Sequence, residues 1–313
     1  MYLTYYNLKE EPFRLTPDPK YLHLAEPHQA ALTAVLEGIF YRKGLVMITG
    51  PIGTGKTTLV HAALHLLTSK RMPVKSALIF NPTLTRDEFL EMMLEEFEVE
   101  CSSTSKPKRL AALQQMLLET QKTGGTSVLF IDEAHLLSSE LLEEIRLLGN
   151  ADIHQEKLLQ IVLSGQPELL TMMKRRELSA LQQRIASRAH LRPLTVAETR
   201  VYVSERLHAA GLEGASPFSA RAVDTIHGCT QGVPRVLNLL GDACLTLGFK
   251  TQQQVIGVNT VEEAAMSLGL LQPTDQVANP SGAAEAVPAG IIQKTAVDLL
   301  IEVMKNNRGA ARG

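Results

Sequence analysis

The sequence predicts an α/β fold in which helices cover both faces of a parallel sheet, followed by a small all-α block. Three observations predict it. Between residues 45 and 194 short apolar runs alternate with helical stretches, the pattern of βαβ crossovers and of strands buried on both faces. Beyond residue 194 the signals are helical only. A glycine-rich turn, Gly50-Pro51-Ile52-Gly53-Thr54-Gly55-Lys56-Thr57, directly follows the first apolar run, where a strand must give way to a helix.

Residues 1–44 hold a proline-rich entry, Glu11-Pro12-Phe13-Arg14-Leu15-Thr16-Pro17-Asp18-Pro19, which must be extended or turning, and then a helix over 27–41. Strands are expected at 45–49, 76–80, 127–131, 158–163 and 189–194, and helix-forming residues 59–67 follow the glycine turn. Thr85 with Glu88 makes a capping box that opens a helix through 97, and 102–108 reads as a polar loop. In the helical block Thr195 with Glu198 is a second box, and Gly211 is placed to close that helix. Further helices are expected at 219–228, 234–247 and 260–268, the last capped by Thr260 with Glu263. The expected domains are an entry segment with its helix (1–44), an α/β domain (45–194) and a helical lid (195–270), with a cleft between the last two. Residues 271–313 are expected to form a flexible linker, rich in Pro, Ala, Gly and Ser, and a short tail. Within that tail 291–305 has the pattern of one amphipathic helix ahead of Arg308 and Arg312.

With 313 residues and 45% hydrophobic content, the chain can bury a substantial core. Thirty-one Lys plus Arg against 33 Asp plus Glu give a net charge of −2, so bulk charge argues for no polyanionic partner, although a local basic patch is compatible with it. Cys101, Cys229 and Cys244 are widely spaced and form no C-x-x-C pair, which fits a reducing compartment. The nine histidines make no metal-binding spacing. The start of the sequence lacks the pattern of a secretory signal and no apolar run is long enough to span a membrane, so the expectation is a cytoplasmic protein without direct membrane insertion.

The glycine turn fits the phosphate-binding pattern G-x-x-x-x-G-K-[ST]. Glycines at 50, 53 and 55 let several backbone N–H groups point into one hollow, and the following helix adds its positive dipole end. Lys56 is the mobile charge for the outer phosphates, and the Thr57 hydroxyl is a magnesium ligand. The expected nucleotide contacts are Gly50, Pro51, Ile52, Gly53, Thr54, Gly55, Lys56, Thr57 and Thr58. Downstream, Val128-Leu129-Phe130-Ile131-Asp132-Glu133 is an apolar strand ending in two acids. Asp132 suits a magnesium ion and Glu133 suits the attacking water. After the next strand Gln166, with Ser164 behind it, is placed to reach a γ-phosphate. Arg184 and Arg188 stand four residues apart, hence on one face if the segment is helical, and either suits a neighbouring subunit's phosphate. Arg235, just after Pro234 at a helix start, suits a reading of the phosphate from the lid.

Taken in order, these landmarks resemble the AAA+ ATPases. The closer resemblance is to the ExeA/GspA-type ATPases of bacterial general secretion, carried by Glu11 to Pro19 with Tyr21-Leu22, by Leu163-Ser164-Gly165-Gln166-Pro167-Glu168-Leu169 and by Gln183-Arg184-Ile185-Ala186. It implies Mg-ATP rather than GTP, adenine near residues 21–28, Gln166 and Arg235 as first and second sensors, and Arg188, or else Arg184, as the arginine finger. It also implies a homo-oligomeric ring or filament with shared sites, and a protein partner in secretion or envelope assembly. Secretion members typically continue into a membrane span and a peptidoglycan-binding domain, whereas a linker and short tail are expected here. A rival class is an ATP-dependent DNA-bound regulator of transposition type, served by Lys174-Arg175-Arg176. A third is a small-molecule phosphotransferase with the same loop.

Overall fold

The computed structural model describes residues 2–16, 26–69, 73–80, 82–150, 152–153 and 156–271. The chain divides into units 1–274 and 275–313; the second lies outside the described residues, as do the expected linker from 272 and the helix at 291–305.

In chain order, α1 (Tyr2–Tyr5) and α2 (Glu26–Phe40) precede β1 (Leu45–Thr49), α3 (Lys56–Ser69), β2 (Val74–Ile79), α4 (Arg86–Glu96), α5 (Lys106–Lys122) and β3 (Thr126–Ile131). Then come α6 (Ser139–Leu148), a small antiparallel ladder of β4 (Asp152–Ile153) and β5 (Glu156–Lys157), β6 (Leu159–Gly165), α7 (Glu168–Met173), α8 (Ser179–Gln182) and β7 (Ile185–His190). The helical block is α9 (Val196–Ala209), α10 (Ala220–Thr230), α11 (Pro234–Lys250) and α12 (Val258–Ser267).

The main sheet runs β2-β3-β6-β1-β7, every pair parallel. Its three inner strands are buried almost throughout, which is why they read as unbroken apolar runs. Successive side chains go to opposite faces. Leu45, Met47, Leu129, Ile131, Ile161 and Leu163 join Phe89, Met93, Leu113, Leu142 and Ile145 from α4, α5 and α6 in one core cluster. The other face is covered by α2 and α3. A second cluster belongs to the helical block and takes in Tyr6, Leu8 and Phe13 from the entry segment. That segment is pinned there by Tyr2 to Asp242 (2.6 Å), Arg206 to the Pro12 carbonyl (3.1 Å) and Lys9 N–H to the Ala210 carbonyl (2.8 Å).

The capping boxes at Thr85/Glu88 and Thr195/Glu198 are both formed, with reciprocal side-chain and backbone bonds. Three expectations need correction. The last strand lies at 185–190 rather than 189–194, because β7 is an edge strand whose positions 186, 188 and 190 face solvent, so it carries no apolar run. The loop expected over 102–108 ends early: α5 starts at Lys106 and accommodates Pro107 in its first turn, where no intrahelical N–H is needed. The Thr260/Glu263 cap does not form, since α12 begins at Val258 and the buried Thr260 hydroxyl instead donates to Gln253 Oε1 at 2.6 Å.

Candidate nucleotide site

Three adjacent strands, β3, β6 and β1, deliver the site at their carboxyl ends, where open parallel sheets bind ligands. From β1 the chain enters the glycine loop. Gly53 and Gly55 have φ of +78° and +96°, conformations that an L side chain resists. A Cβ on Gly53 would also meet Arg235 Cβ and Val233 Cγ1 at 3.0 Å. The loop is therefore packed against the start of α11, and the Arg235 N–H donates to the Gly53 carbonyl at 3.2 Å. Thr54 is buried, its hydroxyl bonded to the Pro51 carbonyl at 2.8 Å, while Ile52 is exposed and Thr58 half-buried in the first turn of α3.

Lys56 is buried, and Nζ donates to the Gly50 and Pro51 carbonyls at 2.8 and 3.0 Å. Burial pushes its pKa below the ordinary lysine value, opposed by the charges of Glu133, Asp132 and Glu168. A buried ammonium surrounded by acids at a distance and held by two loop carbonyls is suited to meet phosphate oxygens.

Asp132, only 2% exposed, directly follows β3, and its N–H donates to the Ile79 carbonyl at 2.9 Å. Thr57 Oγ1 donates to its Oδ2 at 2.6 Å and Ser164 Oγ to its Oδ1 at 2.7 Å. The sheet register explains the second bond, because Ile131 pairs with Leu163 and so brings residues 132 and 164 side by side. Ser164, expected behind Gln166 as a phosphate reader, is instead fully buried as a donor to Asp132. Thr57 and Asp132 present adjacent hydroxyl and carboxylate oxygens, a hard-oxygen set that fits Mg²⁺.

Glu133 turns the chain in a left-handed conformation (φ 50°, ψ 35°) into a 3₁₀ turn, Ala134–Leu136. Its carboxylate lies 3.3 Å from His135 Nδ1. Gln166 is half-buried beyond the end of β6, its N–H directed at the same Nδ1 at 3.5 Å. On the opposite side of the loop His28, 6% exposed, is 2.8 Å from the Thr54 carbonyl through Nε2. Burial lowers its pKa, so the neutral ring donates from Nε2. Of the segment expected to hold adenine, residues 21–25 lie outside the described residues.

The two arginines do not share a helix face. Arg188 is in the edge strand β7, exposed, with a 3.5 Å contact from Nη2 to the Gln182 carbonyl. Arg184 precedes that strand and is tied to the end of α6 through the Arg146 carbonyl (3.0 Å) and Asn150. Lys174, Arg175 and Arg176 are exposed after α7. Sequence reasoning placed His28 only at the end of the expected adenine segment and missed His135: each is a lone histidine without metal spacing, and its approach to the loop at Thr54 or to Glu133 marks it.

A parallel sheet in this order, a phosphate loop from its β1 end, an acid pair on β3 and a helical block set against the loop define a P-loop NTPase of the AAA+ class. A family model for the AAA domain matches residues 39–173. Over 251 residues the chain is 38% identical to General secretion pathway protein A of Aeromonas hydrophila, an alignment that covers 80% of this chain and 45% of that protein. The chain is thus an AAA-type P-loop protein in fold that is similar to general secretion pathway protein A, and it spans less than half of that relative's length. Among solved structures, Drosophila ORC bound to DNA superposes with a TM-score of 0.66 at 18% identity, over 86% of this chain and 66% of that one. Cdc6p of Pyrobaculum aerophilum gives 0.64 at 15% identity, over 83% and 71%. At such identities the likeness is one of fold. Among the described residues no helix is long and apolar enough to cross a membrane.

Proposed function

We propose that the chain binds and hydrolyses Mg-ATP and uses the cycle to change the conformation of a partner. The observation that carries this is the Asp132 carboxylate, held between the Thr57 and Ser164 hydroxyls beside buried Lys56 and next in sequence to Glu133. Lys56 leaves its loop carbonyls for the β- and γ-phosphate oxygens, while loop N–H groups take the remaining charge. Thr57 and Asp132 would hold a magnesium ion, and its charge would offset that of the phosphates. Glu133 orients the attacking water and takes its proton. Gln166 follows the γ-phosphate, and Arg235, whose N–H already bonds the loop at Gly53, passes its loss to the lid. Arg188 from a second copy completes the site, and the secretion-type relationship points to a partner in secretion or envelope assembly. The protein then works in the cytoplasm as a ring or filament.

The deciding experiment compares Lys56→Ala and Glu133→Gln with the parent. Lys56→Ala is expected to lose nucleotide binding. Glu133→Gln is expected to retain ATP, stop turnover and accumulate as the assembled species on a sizing column. Parental turnover in Glu133→Gln refutes the role given to that acid.

A second reading, an ATP-dependent DNA-bound regulator, is favoured by the exposed trio Lys174, Arg175 and Arg176. It requires ATP-dependent duplex binding that weakens steeply with salt.

A further inference from the structure

We propose that His135 is the positioning residue for Glu133, and that its Nδ1 atom couples this acid to the loop at Gln166. The inference rests on reading Glu133 as the base and adds what holds that base in place.

His135 has a fixed seat. The turn Ala134–Leu136 packs on the end of β6, where a Cβ on Gly165 would stand 3.1 Å from the His135 backbone nitrogen, and Ala134 is fully buried. The left-handed backbone at Glu133 folds the chain back, so that two side chains only two residues apart meet. For a non-glycine residue this conformation costs energy and persists only where the surroundings enforce it.

A single nitrogen then faces two claimants. His135 Nδ1 lies 3.3 Å from Glu133 Oε2 and 3.5 Å from the Gln166 N–H. Glu133 Oε2 is buried and has no hydrogen-bond partner among the described residues, although the side chain as a whole is 39% exposed. One oxygen thus faces the imidazole and the other is left for water. In a neutral ring Nδ1 either accepts from Gln166 through its lone pair or donates a proton to Glu133, never both. While Gln166 holds the lone pair, Oε2 lacks a donor. When the loop moves toward a γ-phosphate, Nε2 gives its proton to solvent and Nδ1 takes one from it, so the ring stays neutral and the carboxylate gains a charge-assisted bond that fixes its free oxygen toward water. The acid is armed only when the sensor loop has moved.

Asparagine places its amide nitrogen where Nδ1 lies, whereas glutamine places it one bond further out, at the position of Nε2. His135→Ala is expected to lower kcat at least ~10-fold, a part of what proton transfer to a positioned base contributes, with KM unchanged. His135→Asn recovers most of that loss and His135→Gln does not. In a Glu133→Gln background, adding His135→Ala removes nothing further from the residual single-turnover rate. Ring ¹⁵N spectra of the parent are expected to show Nδ1 passing from acceptor to protonated when a non-hydrolysable ATP analogue is added. An asparagine variant no better than alanine, a loss that persists without the Glu133 carboxylate, or an Nδ1 signal indifferent to the analogue overturns the proposal. Glu133→Gln measured alone keeps the two readings apart: full turnover there removes the base itself, before His135 is in question. Melting midpoints for each variant separate lost folding from lost positioning.

Discussion

The Thr57 hydroxyl donates to Asp132 Oδ2 at 2.6 Å, joining the first turn of α3 to the end of β3 across the space where the glycine loop opens. The other carboxylate oxygen takes its hydroxyl from Ser164, out of contact with solvent. The two donors are chemically alike and differ in burial, which separates their expected effects.

Ser164→Ala removes one of two donors to a buried carboxylate oxygen, leaving it the Glu133 N–H at 3.0 Å, and losing a hydrogen bond to a charged group costs about 1.5–3 kcal/mol. Thr57→Ala removes the same kind of bond where water can replace it, and the loss in stability is expected to be smaller. Urea unfolding of both variants without nucleotide checks the order. Equal midpoints contradict the assignment of Ser164 as the inner support of Asp132.

Gly53→Ala forces a side chain into a left-handed position and against Arg235 and Val233. Strain of about 1–3 kcal/mol in a loop that must keep its shape to bind is expected to weaken nucleotide affinity by about tenfold or more. Fluorescent-nucleotide titration measures it. Affinity equal to the parent's means the loop does not bind in the shape described.

Arg184 and Arg188 are expected to behave differently. Arg184 holds the end of α6, so Arg184→Ala lowers the melting midpoint. Among the described residues Arg188 has a single long contact, to Gln182, and lies on an exposed edge, so Arg188→Ala leaves melting unchanged and lowers hydrolysis, by about a thousandfold if it is a trans finger. Mixing Arg188→Ala with Lys56→Ala subunits tests the sharing directly. The second variant lacks its own nucleotide but can lend its arginine, so activity returns only if sites lie between copies.

Glu198 predicts a pH effect. Its side chain receives two bonds from Arg192 and the backbone and hydroxyl bonds of Thr195, which lower its pKa from 4.5 to about 2. A carboxylate depressed in the folded state contributes stability that is fully present above 4.5 and is lost as pH falls toward 2. Melting curves of the parent and Glu198→Gln are expected to differ at pH 7 and converge near pH 2. A gap that stays constant with pH contradicts the assignment.

Much of the fold can be read locally. Strands β1, β3 and β6 are apolar because both faces of the sheet are covered, and the boxes at Thr85 and Thr195 start α4 and α9 where their spacing indicates. The edge strand β7 and the start of α5 escaped, one because half its residues face solvent, the other because a proline in a polar run suits a first helical turn as well as a loop.

By itself the sequence determined the chemical set: a loop of the right glycines, a lysine, a threonine and two acids at a strand end. Only the tertiary structure decided the partnerships. Ser164 serves Asp132 because β6 lies beside β3, His28 reaches Thr54 because α2 packs over the loop, and residues 2–13 join the helical block rather than the sheet domain they precede. Periodicity reports which side of an element is buried. It carries no record of which strands become neighbours, and hydrogen bonds between strand ends depend on that order.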